Sequence, residues 1–196
     1  GHDYLSNNST VVWDTLTGRF HHNVAGIGYE ECGALDQRQS RSENTGSAVT
    51  IYNGSYLASG LPATNAANGS GFSTTGSYMI WGATDSATTY TREYPPSEYI
   101  DIMERTWLVQ ETGTVGTVTV QPADPNADIL IVDPDGDFTD GNSFEFQLDS
   151  GAVTYDFSDG QYFTFGQVIC VEVNTGACAT TTALDLTSFV EAYDSS

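Results

Sequence analysis

The chain has 196 residues, of which 26 are acidic and only 5 are lysine or arginine, so its formal net charge is -21. A chain this acidic cannot form the basic surface that nucleic-acid binding requires. For the same reason, electrostatic binding to an anionic membrane is not expected. Its 39% of hydrophobic residues and 12% of aromatic residues exclude a disordered acidic tail and suffice for a domain with a core.

Short runs rich in Val, Thr and aromatic residues alternate with turn signals along the chain, a pattern typical of strands. The segment Ser97–Arg105 is ambiguous between helix and strand, and residues 58–76 are predicted to form a long surface loop. We therefore predict an all-β fold, an antiparallel β-sandwich with long loops stabilised by Ca2+. The predicted strands, in chain order, are Val11–Trp13, Ala48–Tyr52, Tyr78–Trp81, Thr106–Gln110, Thr114–Val120, Ile129–Val132, Phe144–Leu148, Val153–Phe157 and Tyr162–Val173.

The ends of the chain and its charge suggest where the protein works. The opening Gly1-His2 has the form of a cleavage scar, and no signal peptide or membrane span is recognisable. We expect a single domain over residues 1–196, a monomeric module cut from a very long protein. The unbalanced acids predict an extracellular setting with plentiful Ca2+ or salt, because bound cations offset the repulsion between carboxylates. Solvation of a salt-adapted surface is the alternative.

The sharpest chemical motif is an acidic loop that follows a predicted strand. Asp133, Asp135, Asp137 and Asp140 lie within eight residues, with Pro and Gly between them to turn the backbone. Carboxylates at this density are the oxygen ligands that Ca2+ prefers. The early glycine and the flanking strands exclude an EF-hand, and a solvated turn is the alternative interpretation.

A second acidic segment lies just upstream of this loop. Asp124, Asn126 and Asp128 are expected to join the same calcium site or to form another one. Zinc is not expected, because His21 and His22 are adjacent and no Cys/His pair has the spacing of zinc ligands.

One segment resembles a catalytic motif but departs from it. Tyr99–Glu104 is similar to the Glu-x-Asp-x-x-Glu strand of jelly-roll β-glucanases, except that Tyr99 stands where the nucleophile is needed. Glu98 is one residue out of register, which places it on the opposite face of a strand. We therefore predict that the protein is not an enzyme.

The three cysteines leave two possibilities open. Cys170 and Cys178 flank Asn174–Gly176, so they face each other across a predicted hairpin and form either a disulfide or two unpaired thiols. Cys32 is left over in both cases.

Several motifs that appear together and in order resemble a known domain. They are Phe20–Gly28, Asp36–Ser40, Trp81-Gly82, Arg105–Gly113 and Asp137–Thr139. Over about residues 10–170 the chain is similar to the Ca2+-dependent peptide-binding domains of large bacterial RTX adhesins, which act in ice adhesion and biofilms, and to related modules of gliding bacteria. The resemblance implies a type I secreted cell-surface protein with several structural Ca2+ ions.

The same resemblance implies a non-catalytic module that binds the free C-terminal end of a partner protein on a host or neighbouring cell. A carbohydrate-binding lectin and a structural extender are the alternatives; in a lectin, Trp81 would stack on the sugar. We place the site where the Glu30–Asp36 turn meets the Trp81–Asp85 loop, with Glu31 and Asp85 as further metal ligands. The residues expected to contact the ligand are Gly26, Gly28, Glu31, Asp36, Gln37, Arg38, Arg41, Trp81 and Asp85. Gly26–Gly28 is predicted to be a turn whose backbone N–H groups hydrogen-bond the peptide terminus.

Overall fold

A computed structural model of the chain describes residues 3–14, 17–56, 60–95 and 97–169. These residues form strands and no α-helix, and a short 3-10 turn lies at Asn65–Ala67. The strands are β1 (Tyr4–Leu5), β2 (Val11–Trp13), β3 (His22–Glu30), β4 (Leu35–Gln37), β5 (Gln39–Arg41), β6 (Val49–Asn53), β7 (Ser77–Ala83), β8 (Tyr90–Tyr94), β9 (Ser97–Met103), β10 (Trp107–Thr112), β11 (Val118–Pro122), β12 (Ile129–Asp133), β13 (Phe144–Gln147), β14 (Val153–Tyr155) and β15 (Tyr162–Val168).

Two antiparallel sheets form the body of the fold, which confirms the predicted β-sandwich. The larger sheet has nine strands in the order β13-β12-β15-β10-β7-β3-β4, and the hairpin β8-β9 extends it through a pairing of β9 with β15. The smaller sheet has the order β14-β11-β6-β5. A separate pair, β1-β2, precedes both sheets along the chain.

The main core lies between the two sheets. Trp81, Trp107 and Phe163 come from the larger sheet, and Ile51 and Val120 from the smaller one; all are at most 1% exposed. The rings of Trp107 and Phe163 stack with 5.2 Å between their centroids. Strand β7 is buried along almost its whole length, as expected for a central strand that is covered on both faces.

The outer face of the larger sheet carries two further apolar clusters. In one cluster, Trp13 and Phe20 of the N-terminal segment cover Leu108. In the other, Phe138 of the acidic loop packs with Ile100, Ile102 and neighbouring apolar side chains. The acidic loop is thus attached to the fold by its own buried aromatic residue.

Gly82 allows the N-terminal segment to approach the sheet closely. A Cβ atom at this position would lie 2.1 Å from the Phe20 carbonyl oxygen and 2.6 Å from the ring of Trp13. We expect Gly82→Ala to lower the free energy of unfolding by about 1–3 kcal/mol, because the clash must be relieved by moving backbone. Urea denaturation measures the loss. Gly69→Ala is the control, since no atom lies within 4 Å of the added methyl group, and equal losses in the two variants would contradict this account.

The sequence prediction was incomplete in the first half of the chain. Strand β3 was not predicted; its residues were interpreted as a glycine-rich turn, whereas they form the longest strand among the described residues. The ambiguous segment is strand β9. Residues 60–76 form the expected loop, but Asn68 within it is fully buried. The described part of the chain contains no helix of the length and hydropathy that a membrane span needs.

Candidate functional site

The acidic loop, residues 133–143, begins at a carboxylate that is completely buried. Asp133 ends strand β12 and is 0% exposed. Its Oδ1 atom accepts hydrogen bonds from the backbone N–H groups of Asp135, at 3.0 Å, and Gly136, at 2.5 Å. The Ser143 hydroxyl donates to its Oδ2 atom at 2.6 Å. Asp133 therefore joins the two ends of the loop.

The remaining aspartates of the loop form a series of local turns. Asp135 accepts a hydrogen bond from the backbone N–H of Asp137, Asp137 from that of Thr139, and Asp140 from that of Asn142. These are Asx turns, in which a carboxylate takes the place of a backbone carbonyl. The Thr139 hydroxyl and N–H group also lower the pKa of Asp137, because both donate to its charged form. The three side chains are exposed.

Phe138 fixes the middle of the loop. Its ring is 0% exposed, and the guanidinium group of Arg92 lies 5.1 Å from the centre of the ring. Glycine is favoured at position 136, because its φ is +84° and an added Cβ atom would lie only 3.1 Å from the ring of Tyr162. The loop thus presents exposed carboxylates on a backbone that is held by two buried side chains.

The donor atoms of the loop are those that Ca2+ prefers, but their arrangement is not that of a calcium shell. The described residues contain no group of three or more His, Cys, Asp or Glu side chains placed to hold one ion. One oxygen of each loop aspartate is directed to a backbone N–H instead. Binding of Ca2+ would require these side chains to turn towards a common centre.

The upstream acidic segment is not part of the loop's hydrogen bonding. Asp124 accepts hydrogen bonds from the backbone and side chain of Asn126, and Asp128 accepts one from the N–H of Val168. Both carboxylates act on Tyr90, whose pKa is raised chiefly by burial of its hydroxyl and then by the charge of Asp124. This segment is expected, if it binds an ion, to form a separate site.

The structure corrects the role that was predicted for the two glycines. Gly26 and Gly28 lie within strand β3, paired with Ile80 and Tyr78 of β7, and not in a turn. A Cβ atom would lie 2.2 Å from the Ile80 side chain at the first position and 2.6 Å from the Tyr78 ring at the second. The glycines therefore leave room for side chains of the neighbouring strand, and no turn offers its N–H groups to a ligand.

The predicted meeting of two acidic segments is also wrong. Strand β3 runs antiparallel to β7, so that His22 pairs with Ala83 and Tyr29 pairs with Ser77. Glu31 therefore follows one end of β3 and Asp85 lies at the other, about 25 Å away at 3.3 Å per residue. Asp85 is instead near His22, with 3.5 Å between its Oδ1 atom and the Nδ1 atom of the imidazole.

Three polar residues at the end of the Glu30–Asp36 turn and just after it form hydrogen bonds within the protein: Asp36, Gln37 and Arg38. Arg38 donates to both oxygens of Asp36, at 2.9 and 2.6 Å, and to the carbonyl of Asn68 at 2.9 Å. This pair lowers the pKa of Asp36, because the guanidinium group stabilises its charged form. Gln37 donates to the carbonyl of Gln39. In this structure Asp36 and Arg38 thus serve the architecture of the loop beside them.

The same holds for the last two predicted ligand contacts. Arg41 donates to the carbonyl of Ser47 at 2.9 Å. Trp81 is 0% exposed in the main core, so a direct contact between its ring and a ligand, including stacking on a sugar, is excluded in this fold. A tryptophan in a continuous apolar strand is more often a core residue than a binding residue, and that signal was available in the sequence.

Sequence reasoning missed two structural anchors in this region. Asn68 donates to the carbonyls of Arg38 and Asn53 and thereby fixes the long loop. Glu30 is 8% exposed and accepts a hydrogen bond from the N–H of Asn7 at 3.0 Å. The Tyr78 hydroxyl beside it, outside standard hydrogen-bond geometry, contributes most to lowering the pKa of Glu30. No local sequence signal identifies such contacts, because their partners are distant in the chain.

The segment that resembles a glycosidase strand lies in β9. Tyr99 is 50% exposed, and Glu104, just after the strand, accepts a hydrogen bond from the Thr91 hydroxyl at 2.6 Å. Cys32 is a free, exposed thiol, while Cys170 and Cys178 lie outside the described residues.

Comparison with known proteins assigns the chain to one family. Residues 1–164 match the model of a domain of unknown function, DUF8202, and the chain therefore belongs to that family. No curated protein and no solved structure matches the chain.

Proposed function

We propose that this DUF8202 domain is a non-catalytic, calcium-dependent protein-ligand module of a bacterial cell-surface adhesin. The acidic loop carries the proposal. Its side chains offer only oxygen donors, as Ca2+ prefers, and Asp133 and Phe138 hold its backbone in place. The exposed aspartates therefore stay near one another, as binding of one ion requires. The protein acts outside the cell, after type I secretion, where Ca2+ is plentiful.

The charge of the whole chain supports dependence on a cation. The formal net charge is -21, because 26 acidic residues stand against only 5 arginines and no lysine. Arg38 pairs with Asp36, and there are too few arginines for most of the other carboxylates to have a basic partner. Binding of divalent cations relieves this repulsion in the folded state, where the charges are closer together than in the unfolded chain.

The ligand that we propose is the free C-terminal end of a partner protein, as the resemblance to RTX peptide-binding domains implies. Glu31 and Asp85 cannot form one binding site for this ligand, because they lie at opposite ends of strand β3. Burial of Trp81 weakens the lectin alternative, since it removes the aromatic ring expected to stack on a sugar.

Calcium should raise the melting temperature of the protein by several degrees. One native-state site adds about 2.7 kcal/mol of stability at 100 Kd. The measurement compares thermal unfolding in EDTA and in millimolar Ca2+, with Mg2+ at equal ionic strength as the control. Asp135→Asn keeps the acceptor for the Asp137 N–H and removes one charge, so it should reduce the rise; Glu43→Gln, an exposed acid elsewhere, should not. Equal melting temperatures in EDTA and Ca2+ would refute the proposal.

The nature of the ligand is tested separately. Paired libraries of random hexapeptides, one with free C-terminal carboxylates and one amidated, are passed over the immobilised protein in Ca2+. Retention of the free acids alone, abolished by EDTA, is the expected result. Equal retention of both libraries excludes recognition of a terminus. Retention of a panel of monosaccharides favours the lectin, and retention of neither class favours the structural extender.

A further inference from the structure

A cavity of about 370 Å3 lies where the β8–β9 hairpin turns. Its apolar walls come from Tyr94, Pro95, Ile100 and Ile169. Two carboxylates, of Glu93 and of Asp101, also line it. This volume falls in the range of small-ligand pockets, and it is large enough for one long side chain of a second molecule.

The two carboxylates face each other without a partner. Glu93 and Asp101 are opposed in the antiparallel pairing of β8 with β9, so their side chains leave the same face of the hairpin. Like charges at directly opposed positions destabilise a sheet. Among the residues with described side chains, none forms a hydrogen bond or an ion pair with either carboxylate. The pocket therefore favours a bound positive charge.

Among the described residues that line this pocket, none is basic. The chain contains no lysine, and each of its five arginines has a described contact elsewhere. Residues 170–196, which follow Ile169 in the chain, contain four acidic residues and no basic one. The arginines and their contacts are Arg19 with the Phe20 ring, Arg38 with Asp36, Arg41 with the Ser47 carbonyl, Arg92 with the Phe138 ring, and Arg105 with the carbonyls of Ser86 and Gly46.

The shape of the pocket distinguishes a basic side chain from a metal ion. Two carboxylates are far fewer oxygen ligands than the six to eight that Ca2+ takes. Apolar walls contribute nothing to an ion, but they match the methylene stem of arginine or lysine, whose charged end then reaches the carboxylates. We propose that this pocket binds an arginine or lysine side chain of a partner protein.

The surface beside the pocket suits an extended partner segment. Ile169 lines the pocket and is 37% exposed, and its N–H donates to the carbonyl of Tyr99, which is 50% exposed. These neighbouring apolar side chains would contact the residues that flank the basic one. The proposal is independent of the calcium proposal, because it involves none of the aspartates of the acidic loop.

The test uses N-acetyl-arginine N-methylamide as the probe, with the citrulline analogue as its uncharged control. Both are titrated into the 15N-labelled full chain in EDTA, and amide shifts are followed by NMR. The arginine compound should shift the amides of Ile100, Asp101 and Ile169 in a saturable manner in the millimolar range, and the citrulline compound should not. Glu93→Gln and Asp101→Asn should each weaken binding about tenfold, the usual effect of losing a charged hydrogen bond. Glu43→Gln should leave binding unchanged.

The two substitutions also have a readout that does not depend on the probe. Each relieves the repulsion between the two carboxylates, so the melting temperature at low salt should stay the same or rise, which confirms that the variants fold. Absence of saturable shifts overturns the proposal, as do equal shifts with citrulline. A repeat of the titration with Ca2+ tests whether the pocket binds a metal ion instead. If Ca2+ shifts the same amide signals in a saturable manner and prevents binding of the arginine compound, the pocket is a metal site and the proposal is overturned. Only this last outcome would also bear on the calcium dependence of melting, since an ion bound in this pocket stabilises the folded state as well.

Discussion

Phe138→Ala should lower the free energy of unfolding by about 3–5 kcal/mol, as expected when a fully buried aromatic side chain is removed. The ring packs with Ile100, Ile102, Ile129 and Ile131 on the outer face of the larger sheet. Since these residues belong to strands β9 and β12, their packing cannot close the cavity without moving the sheet. Urea denaturation monitored by tryptophan fluorescence measures the loss.

Phe144→Ala is the matched control for this substitution. Phe144 begins strand β13, directly after the same loop, but its side chain is 56% exposed. The same atoms are removed, so the loss should be below about 1 kcal/mol if burial determines the effect. Similar losses in the two variants would show that Phe138 does not anchor the loop. Under the calcium proposal, Phe138→Ala should also weaken Ca2+ binding, because an ion must then order the loop itself.

Local patterns in the sequence were sufficient to predict most of the sandwich. Strands such as β12 and β15 are short runs of β-branched and aromatic residues, which favour strands in almost any context. Strand β3 was missed because Ala25, Gly26 and Gly28 have low intrinsic strand propensity. What determines the strand there is its neighbour β7, whose side chains Ile80 and Tyr78 occupy the space above the glycines. That information is tertiary and no local pattern contains it.

For the candidate site, too, the sequence predicted the local motif correctly but not the contacts between distant segments. The acidic loop was found because its residues are consecutive, and a local motif remains together in any fold. The predicted ligand site depended on two segments about 50 residues apart in the chain, and the antiparallel pairing of β3 with β7 separates Glu31 from Asp85. One contact was within reach of the sequence: Asp36 and Arg38 are two residues apart, a spacing that puts neighbouring strand side chains on one face.

The last prediction concerns the buried carboxylate of Asp133. Two substitutions separate the contribution of its negative charge to stability from the contribution of its hydrogen-bond acceptors. Asp133→Ala leaves the N–H groups of Asp135 and Gly136 and the Ser143 hydroxyl without their acceptor. An unsatisfied buried donor costs about 1–3 kcal/mol, so the total loss should be about 3 kcal/mol or more. Asp133→Asn keeps an oxygen for the two N–H groups, and its amide can donate to the Ser143 oxygen, since a hydroxyl both donates and accepts.

In EDTA, Asp133→Asn should therefore unfold at nearly the temperature of the parent, whereas Asp133→Ala should unfold much earlier. The reason is that the carboxylate forms no ion pair with a described residue, so its charge contributes little beyond its hydrogen bonds. In Ca2+ the parent and Asp133→Asn should separate: if the carboxylate also binds the ion, Asp133→Asn loses the rise in melting temperature that the parent gains. Thermal unfolding of the three proteins in both buffers decides between these roles. Equal destabilisation by asparagine and alanine in EDTA would mean that the buried charge itself holds the loop, and an undiminished rise of the asparagine variant in Ca2+ would remove Asp133 from the proposed metal site.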